Sequence, residues 1–160
     1  MDKKFVPDDF IVPKKLETER FRLRMLTVDD VEKDYDAVMS SQKELRNPLD
    51  ENSWPNKNMT LEEDLEDLRA HQDEFVKRIA FAYTVVSLDE SICLGCVYIE
   101  PSSKESFDAE VYMWARSSEL KNGLDELLYT TVKEWVKDRW PFKNVAYPGR
   151  EISWDDWKSR

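Results

Sequence analysis

Three groups of residues in this 160-residue chain have the type and spacing to do chemistry. The turn Leu120-Lys121-Asn122-Gly123-Leu124-Asp125 opens a long amphipathic segment. Backbone N–H groups at a helix start can hold a diphosphate, and a glycine there permits close approach. The same residues also suit a plain loop followed by a helix start. Asp125 would satisfy the helix dipole by itself and repel a diphosphate, a repulsion that Lys121 offsets in part. Cys93-Leu94-Gly95-Cys96 spells C-x-x-C inside SICLGCVYIE, a segment with the composition of a strand. Residues three apart on a strand point to opposite faces, so two reduced, buried thiols are expected and neither a shared metal nor an easy disulfide. His71, the only histidine, sits beside the apolar stripe of a helix, and a boundary residue is a simpler use for it than a general base. One histidine without a spaced carboxylate–histidine set argues against a metal-dependent hydrolase, and no metal is expected.

The elements that must position these groups follow from periodicity. Phe21, Leu23 and Met25 alternate with Arg22 and Arg24, the pattern of a half-buried strand. Thr27 and Asp30 form a capping-box-like start, with Val31, Tyr35, Val38 and Met39 at helical spacing after it. Asn47 to Asn58 is proline- and asparagine-rich and predicts a loop, with Trp54 needing a place to sit. Thr60 and Glu63 cap a second helix whose expected inner stripe is Leu61, Leu65, Leu68, Phe75 and Ile79. Phe81–Leu88 and Ile92–Glu100 predict a hairpin turning at Asp89-Glu90-Ser91, and Asp108–Arg116 predicts a further strand. A long helix is expected from about Leu124 to Asp138, then a short strand over Val145–Tyr147. The order predicts an α/β fold with a mixed, partly antiparallel central sheet, flanking helices and one parallel crossover near the end.

Length bounds the rest. The expectation is one domain over 1–160, with an N-terminal arm over 1–15 and a C-terminal tail over 150–160. The formal net charge of -10 disfavours nucleic acid and anionic membranes and favours cationic small molecules or basic peptides. No apolar run approaches a membrane span, and the basic start lacks the apolar stretch of a secretory signal, so a soluble, cytoplasmic protein is expected.

LETERFRLRMLTVDD (Leu16–Asp30) resembles the opening signature L-x-T-x-R-L-x-L-R-x-L of the ribosomal-protein and antibiotic-acetylating branch of the GNAT acyltransferase superfamily. LGCVYIEP is similar to that family's third strand, and DAEVYMWARSSELKNGLDELLYTTVKEW to its fourth strand and cofactor-binding helix. The likeness spans roughly residues 16 to 147 and implies a GNAT-like fold, shortened at the C-terminus. It also implies acetyl-CoA as cosubstrate and transfer of its acetyl group to a primary amine, on a small molecule, a peptide or a protein N-terminus. The family pattern Gln/Arg-x-x-Gly-x-Gly/Ala maps onto Leu120–Asp125: Gly123 matches its first glycine, Leu120 replaces Gln/Arg, and Asp125 stands at the last small position.

Carried over residue by residue, the resemblance implies cofactor contacts at Met113, Trp114, Ala115, Arg116, Lys121, Asn122, Gly123 and Leu124. Val145–Tyr147 would lie across a gap from the fourth strand. Glu110 is the implied general base and Tyr147 the implied acid, with amides near Trp114 and Ala115 polarising the thioester carbonyl. Direct transfer in a ternary complex is expected, since neither cysteine has a base partner nearby in sequence. The alternative is a noncatalytic GNAT-fold module with a decayed CoA site, binding a ligand or a protein. Only about a dozen residues follow Gly149, where the family adds a further helix and strands. Trp154 and Trp157 would share a helical face, sealing the sheet edge or, less simply, forming a homodimer contact.

Overall fold

Alternating apolar residues build a six-stranded sheet whose two faces are both covered. The computed structural model describes residues 4–45 and 54–159. Its strands are β1 (Lys15–Glu17), β2 (Arg22–Met25), β3 (Phe81–Val86), β4 (Cys93–Pro101), β5 (Ala109–Ala115) and β6 (Val145–Ala146). They lie side by side in chain order, antiparallel except for the parallel β5–β6 pair. The helices are α1 (Val31–Ser40), α2 (Gln42–Leu45), α3 (Leu61–Val76), α4 (Leu124–Arg139) and α5 (Trp154–Ser159). The mixed sheet and its parallel crossover are as expected, while β1 is an additional edge strand within the segment joining the arm to β2.

Period two sorts the side chains. Phe81, Tyr83, Val97, Ile99, Val111 and Met113 face α4, where Leu124, Leu128, Val132 and Trp135 complete the larger core. Ala82, Cys96, Tyr98 and Trp114 face α1 and α3. The arm closes the first face: Phe5 stacks between Phe81 and Phe142, and the Tyr83 hydroxyl donates to Pro13 O at 2.6 Å.

Local capping positions the helices on the second face. Thr27 N donates to Asp30 Oδ2 at 2.9 Å, and a tight 3-10 turn over Val28–Asp30 leads into α1. Asp30 also takes a bidentate bond from Arg24 at 2.7 and 3.0 Å, so the arginine that alternates outward on β2 anchors the helix entrance. Thr60 and Glu63 exchange the reciprocal bonds of a full capping box.

The inner face of α3 differs from expectation. Leu61 and Ile79 are exposed, and the buried positions are Asp64, Leu68 and Phe75, with His71 half-buried between the last two. The helix is rotated so that a carboxyl, not Leu61, points inward, because Tyr98 and Asp34 across from it leave a polar cleft. Part of the predicted loop, 47–53, lies outside the described residues; Trp54 rests against Trp114 with ring centroids 6.3 Å apart. Among the described residues no helix is long and apolar enough to cross a membrane.

Candidate functional site

The β5–β6 ladder lasts for two pairs, Ala109↔Val145 and Glu110↔Ala146, and stops. Beyond it the chain of β6 turns away at Tyr147, whose carbonyl accepts from the amides of Arg150 and Glu151, each at 3.0 Å. Among the described residues no strand pairs the Val111–Ala115 edge beyond that point, and a wedge opens between the two strands. Arg150 reaches into it, its Nη2 donating to Met113 O at 3.2 Å.

The turn before α4 stands at the wide end of this wedge. Residues Ser117–Asn122 form a 3-10 helix, and Gly123 takes φ 75°, a left-handed conformation that glycine adopts without strain. A Cβ at Gly123 would meet nothing within 4 Å, so the turn faces open space. Leu127 N closes the first bond of α4 onto Gly123 O at 3.1 Å, which leaves the amides of Leu124, Asp125 and Glu126 as helix-terminal donors. The Asp125 carboxylate is held bidentate by Arg150 at 2.8 and 2.9 Å. Its charge is thus neutralised at close range, and Arg150 is committed to it.

The other expected cofactor contacts separate into two sets. Lys121 and Asn122 are exposed at the turn, Asn122 donating to Glu119 at 3.0 Å, while Leu124 is buried under it. Met113 and Ala115 point their side chains into the α4 core and leave only main chain to the wedge. Trp114 points to the opposite face, with Nε1–H donating to the Tyr98 hydroxyl at 3.1 Å. Arg116 does not face the wedge: it donates to Asp36 at 2.7 Å and to Cys93 O at 3.3 Å, drawn to the α1 side by that carboxylate.

A cleft of about 500 Å³ lies on the α1–α3 face, within the usual size of a small-molecule site. Asp34, Asp64, Asp67 and Glu100 line it with His71, Tyr98 and Tyr112, and Trp54 stands at its rim. Burial raises Asp34 and Asp64 above the usual carboxylate range; a side-chain hydrogen bond between the two lowers Asp34 and raises Asp64, and apart from Asp34 no group among the described residues bonds either Asp64 oxygen. Burial, then the neighbouring charges of Glu110 and Glu74, raises Glu100 as well. Burial lowers His71, so it favours the neutral ring; the ring lies tilted against Tyr98 with centroids 5.3 Å apart.

Glu110 sits directly opposite Glu100 in the β4–β5 register but does not line the cleft. It is buried, with Oε2 accepting from Ser103 N at 3.0 Å and Oε1 from the Tyr112 hydroxyl. It therefore meets the cleft through Tyr112. Tyr147 is buried just past β6 against Tyr129, and burial raises its pKa. The tail helix α5 covers this end of the sheet: Trp154 stacks on Tyr112 at 6.1 Å and Trp157 lies against Phe107 at 5.6 Å. Of that pair, Trp157 is buried and Trp154 is half exposed.

Sequence reasoning missed Glu100, Asp34, Asp64 and Arg150. Glu100 could have been found from its place on the same strand face as Tyr98. The others depend on contacts between distant elements and carry no local signal.

No protein-family profile matches the sequence, and no curated protein matches it either. Solved structures do. A Vibrio cholerae protein assigned as a ribosomal-protein-serine acetyltransferase superposes with a TM-score of 0.61 at 19% identity, over 84% of this chain and 70% of that one. The ribosomal-protein-S5-alanine acetyltransferase of Vibrio fischeri gives 0.60 at 18%, over 76% of this chain and 66% of the other. The microcin C7 self-immunity acetyltransferase MccE, solved with acetyl-CoA and AMP, gives 0.57 at 10%, over 80% and 69%. The chain spans about two thirds of the length of these neighbours. With its sheet order, its parted β5 and β6 and its glycine turn before α4, the chain has the fold of the GNAT-family acetyltransferases.

Proposed function

We propose that this chain is an acetyl-CoA-dependent N-acetyltransferase that transfers an acetyl group to a primary amine of a small molecule, a peptide or a protein N-terminus. The observation that supports this most strongly is the wedge: β5 and β6 part after Glu110↔Ala146, beside the glycine turn of α4. Acetyl-CoA supplies the acetyl group as a thioester. The free amides at the start of α4, with Lys121 and Asn122 beside them, are the donors for its diphosphate, and the β5 edge at Met113–Ala115, past the end of the β6 ladder, is the edge for its arm. Arg150 neutralises Asp125, so the carboxylate that breaks the family pattern need not repel an anion.

The acceptor side is the acidic cleft on the opposite face of β5. Asp67, Glu100 and Asp34 give it a negative field that draws a cationic amine. Glu100, raised by burial and by Glu110, takes the ammonium proton, while Glu110 holds Tyr112 and tunes its neighbour. Main-chain amides near Trp114 and Ala115 polarise the carbonyl. Tyr147, which burial keeps protonated, holds a proton beside β6 for the departing thiolate. No covalent enzyme intermediate is needed, since Cys93 and Cys96 are buried.

Isothermal titration of the folded chain with acetyl-CoA tests this directly. Saturable binding, followed by acetylation of at least one member of an amine and basic-peptide panel, is the expected result. Absence of binding at millimolar acetyl-CoA refutes it and leaves a noncatalytic member of the same fold.

A further inference from the structure

Cys93 and Cys96 meet because the strand carrying them is irregular. Val85 pairs with Gly95 and Val86 with Cys93, so Leu94 is left over and β4 holds one extra residue. Such a bulge resets the alternation of side chains. Leu94 turns into the α4 core, and Cys93 joins Cys96 on the α1–α3 face, contrary to the expectation that the thiols point apart. Asp34, on α1, packs over both. One donor atom from each of Asp34, Cys93 and Cys96 lies within 4.8 Å of the others, all three buried, and Cys96 Sγ is 3.4 Å from Asp34 Oδ1. In tetrahedral coordination, with metal–sulfur bonds of about 2.3 Å and metal–oxygen bonds of about 2.0 Å, neighbouring donors stand about 3.3–3.8 Å apart. Small side-chain adjustments bring this set to that geometry.

Asp64 on α3 is 1% exposed and shares the cleft wall with Asp34, the two carboxyls sharing a side-chain hydrogen bond. Arg116 donates to Cys93 O at 3.3 Å and to Asp36 at 2.7 Å.

We propose that Asp34, Cys93 and Cys96 form a binding site for a soft divalent cation of the zinc type, with Asp64 on the outer side of Asp34. Two thiolates in a set of three select zinc over magnesium or calcium, which prefer oxygen. Binding breaks two S–H bonds, releases both protons and forms two metal–sulfur bonds; no electrons are transferred. The ion joins β4 to α1 behind Asp34, the member of the set that lines the acidic cleft. This inference does not rest on the transferase reading.

The test uses the full chain, reduced and chelator-treated, titrated with cobalt(II). Cys93 and Cys96 are the only thiols in the chain, so any thiolate–cobalt charge-transfer band must come from them. The expected result is a near-ultraviolet band that saturates at one equivalent and is bleached by zinc. Asp34→Asn should weaken cobalt binding by about tenfold or more, and Cys96→Ser should weaken both the band and the affinity. A natively folded chain that shows no band overturns the proposal, whether or not the variants fold. So does a band that survives in Cys96→Ser with unchanged affinity.

Discussion

Asp125→Ala should tighten acetyl-CoA binding while weakening the fold. Asp125 is in the first turn of α4 and is gripped by Arg150 at 2.8 and 2.9 Å, with the two side chains 38% and 22% exposed. A partly exposed bidentate pair contributes about 1 kcal/mol, between an open surface pair and a buried charged bond. An acid at a helix N-terminus adds up to about 1 kcal/mol more. The variant should therefore lose about 1–2 kcal/mol of stability, read as a lower urea midpoint. The same change removes a negative charge from the diphosphate position and frees Arg150, which otherwise donates to Asp125 and Met113 O. A gain of about 1–2 kcal/mol corresponds to about 5–30-fold tighter binding. Calorimetric titration of the parent chain, Asp125→Ala and the double variant with Arg150→Ala is the assay. In the double variant the gain should vanish, since the freed guanidinium supplies it. A folded Asp125→Ala that binds acetyl-CoA no better than the parent refutes the placement of the diphosphate at this turn.

Glu100→Gln should lower kcat by about 100-fold or more with little change in KM, because the amide cannot take a proton. Glu110→Gln should move the acidic limb of kcat/KM to lower pH: the Glu110 charge raises Glu100, and a base with a lower pKa is ionised further into acid. A Glu100→Gln enzyme with full activity across pH, or a limb that stays put in Glu110→Gln, rejects these roles. Gly95→Ala should cost about 3 kcal/mol by urea unfolding, since its Cβ would lie 2.1 Å from Trp114 O, a backbone atom that cannot move without parting β4 from β5. A loss below about 1 kcal/mol would mean that the ladder is looser there than the register Gly95↔Ala115 implies.

What the sequence determined by itself is local or periodic. Thr27 with Asp30 and Thr60 with Glu63 mark helix starts because their bonds span three residues and need no tertiary partner. The strands from Phe81 to Ala115 were legible because alternation on a sheet with two distinct cores is a strict pattern. Gly123 could be placed at the head of α4, since a helix start and a left-handed glycine are both read from short stretches. The tertiary structure decided the rest wherever a contact joined distant residues. Asp36 captures Arg116 from 80 residues away, and Asp125 captures Arg150 from 25 away, so neither arginine's role follows from its own strand or turn. The bulge at Leu94 arises from how β3 and β4 register, and it reverses which face Cys93 takes. Asp64 turns inward against the apolar pattern of α3 because Asp34 waits on another helix. Charge pairing and strand register are long-range constraints, and only the folded chain satisfies them all at once.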